Sequence, residues 1–184
     1  MVARGRVSAD LLLLAFGPFG PWAENSTDVV SAAAANRLRE HGVAVDRRVL
    51  PTSLAAVRSL VMQVLEEPPK AVLACGLSAE SPSVQIERCA RNLADFRIPD
   101  VAGLQPSGEL LIEGAPEKLY GPLADESLLR SLRGASVPAV LSDDAGTYIC
   151  NALYFSLLDG LAPSGAAALF MHLPPLPGLL RADG

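Results

Sequence analysis

The chain has 184 residues, half of them hydrophobic and 19% charged, and 15 Lys and Arg stand against 20 Asp and Glu for a net charge of −5. That length is typical of one domain with a sizeable core, and the composition excludes a largely disordered chain. The mild acidity argues against nucleic acid as a partner, and three widely spaced cysteines, Cys75, Cys89 and Cys150, make neither a disulfide framework nor a metal site and suit a reducing cytosol.

The first apolar run is Leu11–Phe16. Arg4 and Arg6 before it imitate a secretory leader, but the run is too short and ends in Gly17-Pro18-Phe19-Gly20, so it reads as a buried strand. It also falls far short of the about 18–20 apolar residues of a membrane span. Asn25, Ser26 and Thr27 offer caps for a helix to about Glu40, with Val30, Ala33, Ala34 and Leu38 on one face and Gly42 ending it. Val43–Leu50 reads as the second strand. Pro51 and Thr52 open a second helix carrying Leu54, Val57, Val61 and Leu65 at helical spacing, and Pro68-Pro69 stops it. Lys70–Cys75 is the third strand. The alternation then weakens; Val84–Glu87 and Glu109–Ile112 are expected as short strands of a hairpin flanking the main sheet. Asp125–Arg133 reads as a helix, Pro138–Ser142 as a strand, Thr147–Leu161 as a helix and Ala167–His172 as the last strand, after which Pro174, Pro175 and Pro177 forbid an immediate helix. No repeat appears. Alternating strands and helices predict an α/β fold, with residues 1–184 forming a single three-layer α/β/α domain around a twisted, mostly parallel sheet. In such sheets sites form beyond the carboxyl ends of strands. The candidates for one cleft are the 16–20 loop, Pro51-Thr52, Gly76–Glu80, the Asp143–Cys150 turn and His172.

Cys150 follows a strand and a glycine turn and stands near a helix amino end, where the dipole and free N–H groups favour a thiolate and an oxyanion. It is either a nucleophile or an inert buried cysteine. His172, at the end of an apolar strand, is either a general base for a thiol or a structural histidine. His41 lies just past a helix and is explained by the helix dipole and solvent. Glu87 either orients a histidine or pairs on the surface with Arg88 or Arg91. Phe16 and Phe19 bracket Gly17-Pro18 and either wall a small ring or pack back on the core. Two histidines so far apart supply no metal cluster, and the Gly17/Gly20 spacing is no dinucleotide fingerprint, so neither metal nor cofactor is expected.

Taken together, five segments resemble the pyroglutamyl peptidase I (pyrrolidone-carboxylate peptidase) family of cysteine peptidases. They are Ala15-Phe16-Gly17-Pro18-Phe19-Gly20, Gln85-Ile86-Glu87-Arg88, Phe96-Arg97-Ile98-Pro99-Asp100, Ala145-Gly146-Thr147-Tyr148-Ile149-Cys150-Asn151 and Phe170-Met171-His172-Leu173-Pro174. Order and spacing agree from about residue 11 to 177. The resemblance implies that Cys150 is the nucleophile, His172 the general base and then acid, and Glu87 the group that orients the histidine. It places Arg97 near the oxyanion, and Phe16, Phe19, Thr52, Ile98, Tyr148 and Ile149 around the pyroglutamyl pocket. It implies an exopeptidase acting through a thioester on small peptides with an N-terminal pyroglutamate, and a homo-oligomer, dimer or tetramer; the cysteine usage adds a cytoplasmic location. A small neutral lactam suits apolar walls without a charged floor.

Four departures stand out. The family's G-x-A-G-G-R reads Gly76-Leu77-Ser78-Ala79-Glu80-Ser81, its N-P-[ST] reads Asn25-Ser26-Thr27, its I-P-D-N-E-G reads Ile98-Pro99-Asp100-Val101-Ala102-Gly103, and where its members continue from the histidine strand into a final helix this sequence stops at Gly184. The alternative readings are a weak or inactive relative that binds small acyl-amino compounds or a protein partner, and a cysteine amidohydrolase for another lactam or γ-glutamyl compound.

Overall fold

The computed structural model describes residues 9–20 and 23–177; Arg4, Arg6 and the tail after Pro177 lie outside them. The chain order is β1 (Leu11–Phe16), α1 (Ser26–Glu40), β2 (Val45–Leu50), α2 (Leu54–Glu66), β3 (Ala71–Leu77), β4 (Val84–Glu87), β5 (Cys89–Arg91), β6 (Lys118–Tyr120), α3 (Glu126–Gly134), β7 (Ala139–Ser142), α4 (Ile149–Leu161) and β8 (Ala167–Leu173). Six strands form one sheet in the order β2-β1-β3-β8-β4-β7. The first four are parallel neighbours, as the continuous apolar runs of β1, β3 and β8 predict. The architecture is the expected mostly parallel α/β sheet, in three layers.

Strand parity sorts the side chains. Leu12, Leu14, Phe16, Val72, Ala74, Ala168 and Phe170 face one core, which α2 and α4 cover with Leu54, Val57, Leu153 and Leu157. Leu73, Ile86, Leu169 and Met171 face the other side, where Leu129 of α3 packs. On that side α1 lies over β1 and β2, with Arg47 of β2 reaching Ser31 and Asp28.

Local chemistry corrects four expectations. The buried face of α1 is Thr27, Ser31 and Ala35, and Val30 and Ala33 point to solvent. Hydroxyls decide this rotation: Thr27 Oγ1 accepts the Phe16 N–H at 3.1 Å, and Ser31 Oγ accepts from Arg47 Nε at 2.9 Å. Leu60 and Val64 join the inner face of α2, while Leu65 is half-exposed and rests against Gly160 of α4. Glu109–Ile112 is not a strand. Asn92 takes the place of a strand partner there, donating to the Ile112 carbonyl at 2.7 Å and accepting its N–H at 2.9 Å. The small hairpin is instead β5 with β6. Finally, β4 belongs to the main sheet, parallel to β7 but antiparallel to β8, so these two strands run against the rest.

Candidate active site

The sheet register assembles the site. Gly76 of β3 lies beside His172 of β8, and Gln85 of β4 lies on the other side of His172, with Glu87 facing Phe170. Gly76, His172 and Glu87 therefore share the sheet face that α4 covers, and α4 brings Cys150 down onto it. A Cβ at Gly76 would lie 2.8 Å from Cys150 Sγ, 3.0 Å from His172 Cδ2 and 3.0 Å from Phe170 Cζ. Only glycine leaves room for the sulfur and the imidazole to meet.

His172 Nδ1 lies 2.7 Å from Glu87 Oε1, and the ring also hydrogen-bonds the Cys150 sulfur, which leaves Nε2 for that contact. Glu87 is wholly buried, and its second oxygen, Oε2, has no partner among the described residues. Neither arginine near it in sequence pairs with it: Arg88 binds Asp143 and Arg91 reaches Asp144 at 3.5 Å. Burial opposes charge on His172, but the Cys150 sulfur and the Glu87 carboxylate outweigh it and push the imidazole up to about 10. The two neighbours on either side of the ring thus favour its protonated form.

Cys150 is the second residue of α4 and is partly exposed. Tyr148 caps the helix without a side-chain hydrogen bond, so the N–H groups of the first turn are aimed outward beside the sulfur. Asn151, fully buried, ties this helix end to the neighbouring loop: it accepts the Arg91 N–H at 2.8 Å and donates to the Arg91 and Leu93 carbonyls at 2.9 Å. The other cysteines are sequestered. Burial pushes the Cys75 thiol up to about 12, and Cys89 is buried against the Asp143 carbonyl at 3.1 Å. His41 sits at the end of α1 with Nδ1 2.8 Å from the Arg37 carbonyl, remote from this chemistry.

A cleft of about 400 Å³ opens in front of Cys150, lined also by Phe16, Phe19, Asn25, Thr52, Leu77–Glu80, Arg97 and Tyr148. Tyr148 packs between Phe19 and Phe96, tilted against the first and edge-on to the second with centroids 5.7 and 4.6 Å away, and its hydroxyl donates to the Pro99 carbonyl at 3.0 Å. Asp100 holds the loop that carries Arg97, accepting from Leu54, Ala102 and Leu104 N–H groups at 2.8–2.9 Å.

Of the sequence candidates, Cys150, His172 and Glu87 come together, and Phe16, Phe19, Thr52, Arg97 and Tyr148 line the cleft. Two do not. Ile149 opens α4 one residue before Cys150 and turns fully into the core, because successive helical residues do not share a face. Ile98 is 48% exposed and outside the lining. Two charged side chains, Arg97 and Glu80, border the cleft. Gly76, Asn151 and Asp100 are the contributors the residue-by-residue reading gave no role. The sole hints were a glycine at a strand end and polar residues inside otherwise apolar segments.

A family model described as pyroglutamyl peptidase matches residues 9–183. The pyrrolidone-carboxylate peptidase of Thermococcus onnurineus is 33% identical over 169 residues, covering 89% of this chain and 82% of that protein. Among solved structures, the pyrrolidone carboxyl peptidase of Thermus thermophilus superposes with a TM-score of 0.80 at 32% identity, over 90% of this chain and 84% of the other. A mutant pyrrolidone carboxyl peptidase from P. furiosus gives 0.84 at 29% identity, over 91% and 81%.

Proposed function

Because the chain belongs to the pyroglutamyl peptidase family, we propose that it is a cysteine exopeptidase that hydrolyses the amide bond after an N-terminal pyroglutamyl residue, with Cys150, His172 and Glu87 as its triad. The observation that carries this reading is the contact of sulfur and imidazole over Gly76, with the far ring nitrogen 2.7 Å from a buried carboxylate.

The lactam ring enters between Phe16, Phe19 and Tyr148, beside Thr52. The Cys150 sulfur attacks the pyroglutamyl carbonyl carbon, and the Cys150 N–H at the head of α4 stabilises the oxyanion. The tetrahedral adduct collapses as His172 passes its proton to the leaving amine, and a thioester remains. His172, now neutral, takes a proton from water, the hydroxide equivalent attacks the thioester, and pyroglutamate departs as the thiolate and imidazolium reform. Glu87 holds the ring tautomer and balances its charge through both steps. Arg97 borders the cleft on the Asp100 loop and adds positive potential.

The same reading places the enzyme in the cytoplasm as a homo-oligomer; three free thiols among the described residues support the first part.

A chromogenic pyroglutamyl amide tests the function. Wild type is expected to release the chromophore, Cys150→Ser to lose at least about 10³-fold in kcat, and a pyroglutamyl aldehyde to protect Cys150 from stoichiometric iodoacetamide labelling. A wild-type protein without turnover overturns the peptidase reading.

A further inference from the structure

Glu80 is a charged residue of the cleft to which the chemistry above assigns nothing. It lines the same cleft as Cys150, its side chain is exposed, and among the described residues it enters no ion pair. Its place relative to the reacting sulfur follows from the topology. Thr52 comes just after β2 and Phe16 ends β1, so the aromatic slot lies over those two strands. The sulfur sits above Gly76 of β3, the next strand across. Beyond Gly76 the chain turns the opposite way. The Ser78 N–H donates to the Leu173 carbonyl of β8 at 2.9 Å, and the chain then passes the end of β8 to enter β4 on its far side. Glu80 lies in this crossing segment.

A substrate with its lactam in the slot and its carbonyl at Sγ therefore sends the residue after the scissile bond toward Ser78, Ala79 and Glu80. The cleft, at about 400 Å³, holds more than a five-membered ring. On this side the described residues offer the Glu80 carboxylate and two small side chains, Ser78 and Ala79. We infer that Glu80 makes the enzyme select peptides whose second residue, directly after pyroglutamyl, is cationic. This rests on the pyroglutamyl reading of the site. A lysine or arginine side chain meets an opposite charge as it leaves with the amine, and an acidic one meets repulsion. Because Glu80 is solvated, the effect is modest and salt-sensitive.

The test uses the pyroglutamyl amides of lysine, glutamine and glutamate, following pyroglutamate release. Wild type is expected to rank them lysine, glutamine, glutamate in kcat/KM. Lysine leads glutamine by about threefold at low ionic strength, and the lead shrinks as salt is added. Glu80→Gln brings the lysine-to-glutamine ratio to one, and Glu80→Lys inverts it. A wild-type ratio of one, or a ratio that survives Glu80→Gln, overturns the role of Glu80 while cleavage of the glutamine amide leaves the peptidase reading standing. If none of the three is cleaved, the peptidase reading falls. Calorimetric affinities of Cys150→Ser for the same amides then decide the charge preference by themselves.

Discussion

Gly76 shows how one missing side chain makes a site. The point that its Cβ would occupy is already shared by the Cys150 sulfur and the His172 and Phe170 rings, none of them a loose surface group. Gly76→Ala must displace the sulfur or the imidazole, and a shift of about 1 Å in such a pair costs on the order of 10²-fold in rate. The expected outcome is a kcat loss of that size with a stability loss of about 1–3 kcal/mol, measured by steady-state kinetics and urea unfolding. Unchanged kcat would show that sulfur and ring do not work as a pair. The same contact explains why the sequence left Cys150 and His172 each with two readings. Neither residue has a diagnostic neighbour in the chain, and the partner that decides the question is 22 or more positions away.

At the scale of elements, the loop after Phe96 is organised by one carboxylate. Asp100 accepts the Leu54 N–H at the head of α2 and two N–H groups of its own turn, and the Tyr148 hydroxyl closes the loop from the other side. Burial raises the Asp100 carboxyl, but the backbone donors outweigh it and hold it below the usual carboxylate range. Asp100→Ala strands the Leu54 N–H and frees the segment that carries Arg97. The expected result is about 1–3 kcal/mol of lost stability and a rise in KM larger than the fall in kcat, because the cleft wall loosens while the Cys150–His172 contact is untouched. A fall confined to kcat would place Asp100 in the chemistry instead. Sequence patterning located the six main apolar strands and helices well because burial imposes periods of 2 and 3.6. It missed the hairpin β5–β6, whose pairing depends on Asn92 bonding Ile112 across 20 residues. The face of α1 escaped for the same kind of reason, since Thr27 and Ser31 outrank Val30 only through their bonds to β1 and β2.

For the molecule as a whole, the site is also a source of stability that depends on pH. The imidazole titrates near 6.5 when unfolded, and in the folded protein burial works against its proton while Cys150 and Glu87 push it up to about 10. A proton bound more tightly in the folded state stabilises it. That contribution is complete below about pH 6.5, declines as pH rises, and is gone above about pH 10. The unfolding free energy of wild type is therefore expected to fall across this window more steeply than that of His172→Gln. Parallel curves for the two proteins would refute the imidazolium assignment. The sheet makes the arrangement possible, because β3, β8, β4 and α4 each contribute one residue to it.

The amino-acid order by itself determined the class of fold, because long apolar runs alternating with capped amphipathic segments have few ways to hide from water. Its five short segments also pointed to a peptidase family and to Cys150, His172 and Glu87. Tertiary structure alone decided that β4 runs against β8, which is what swings Glu87 to within 2.7 Å of the imidazole. It likewise turned Ile149 into the core, left Ile98 outside the cleft, and set Glu80 across the sulfur from the aromatic slot. Strand direction and helix rotation are settled by contacts between distant segments, and no local run of residues encodes them.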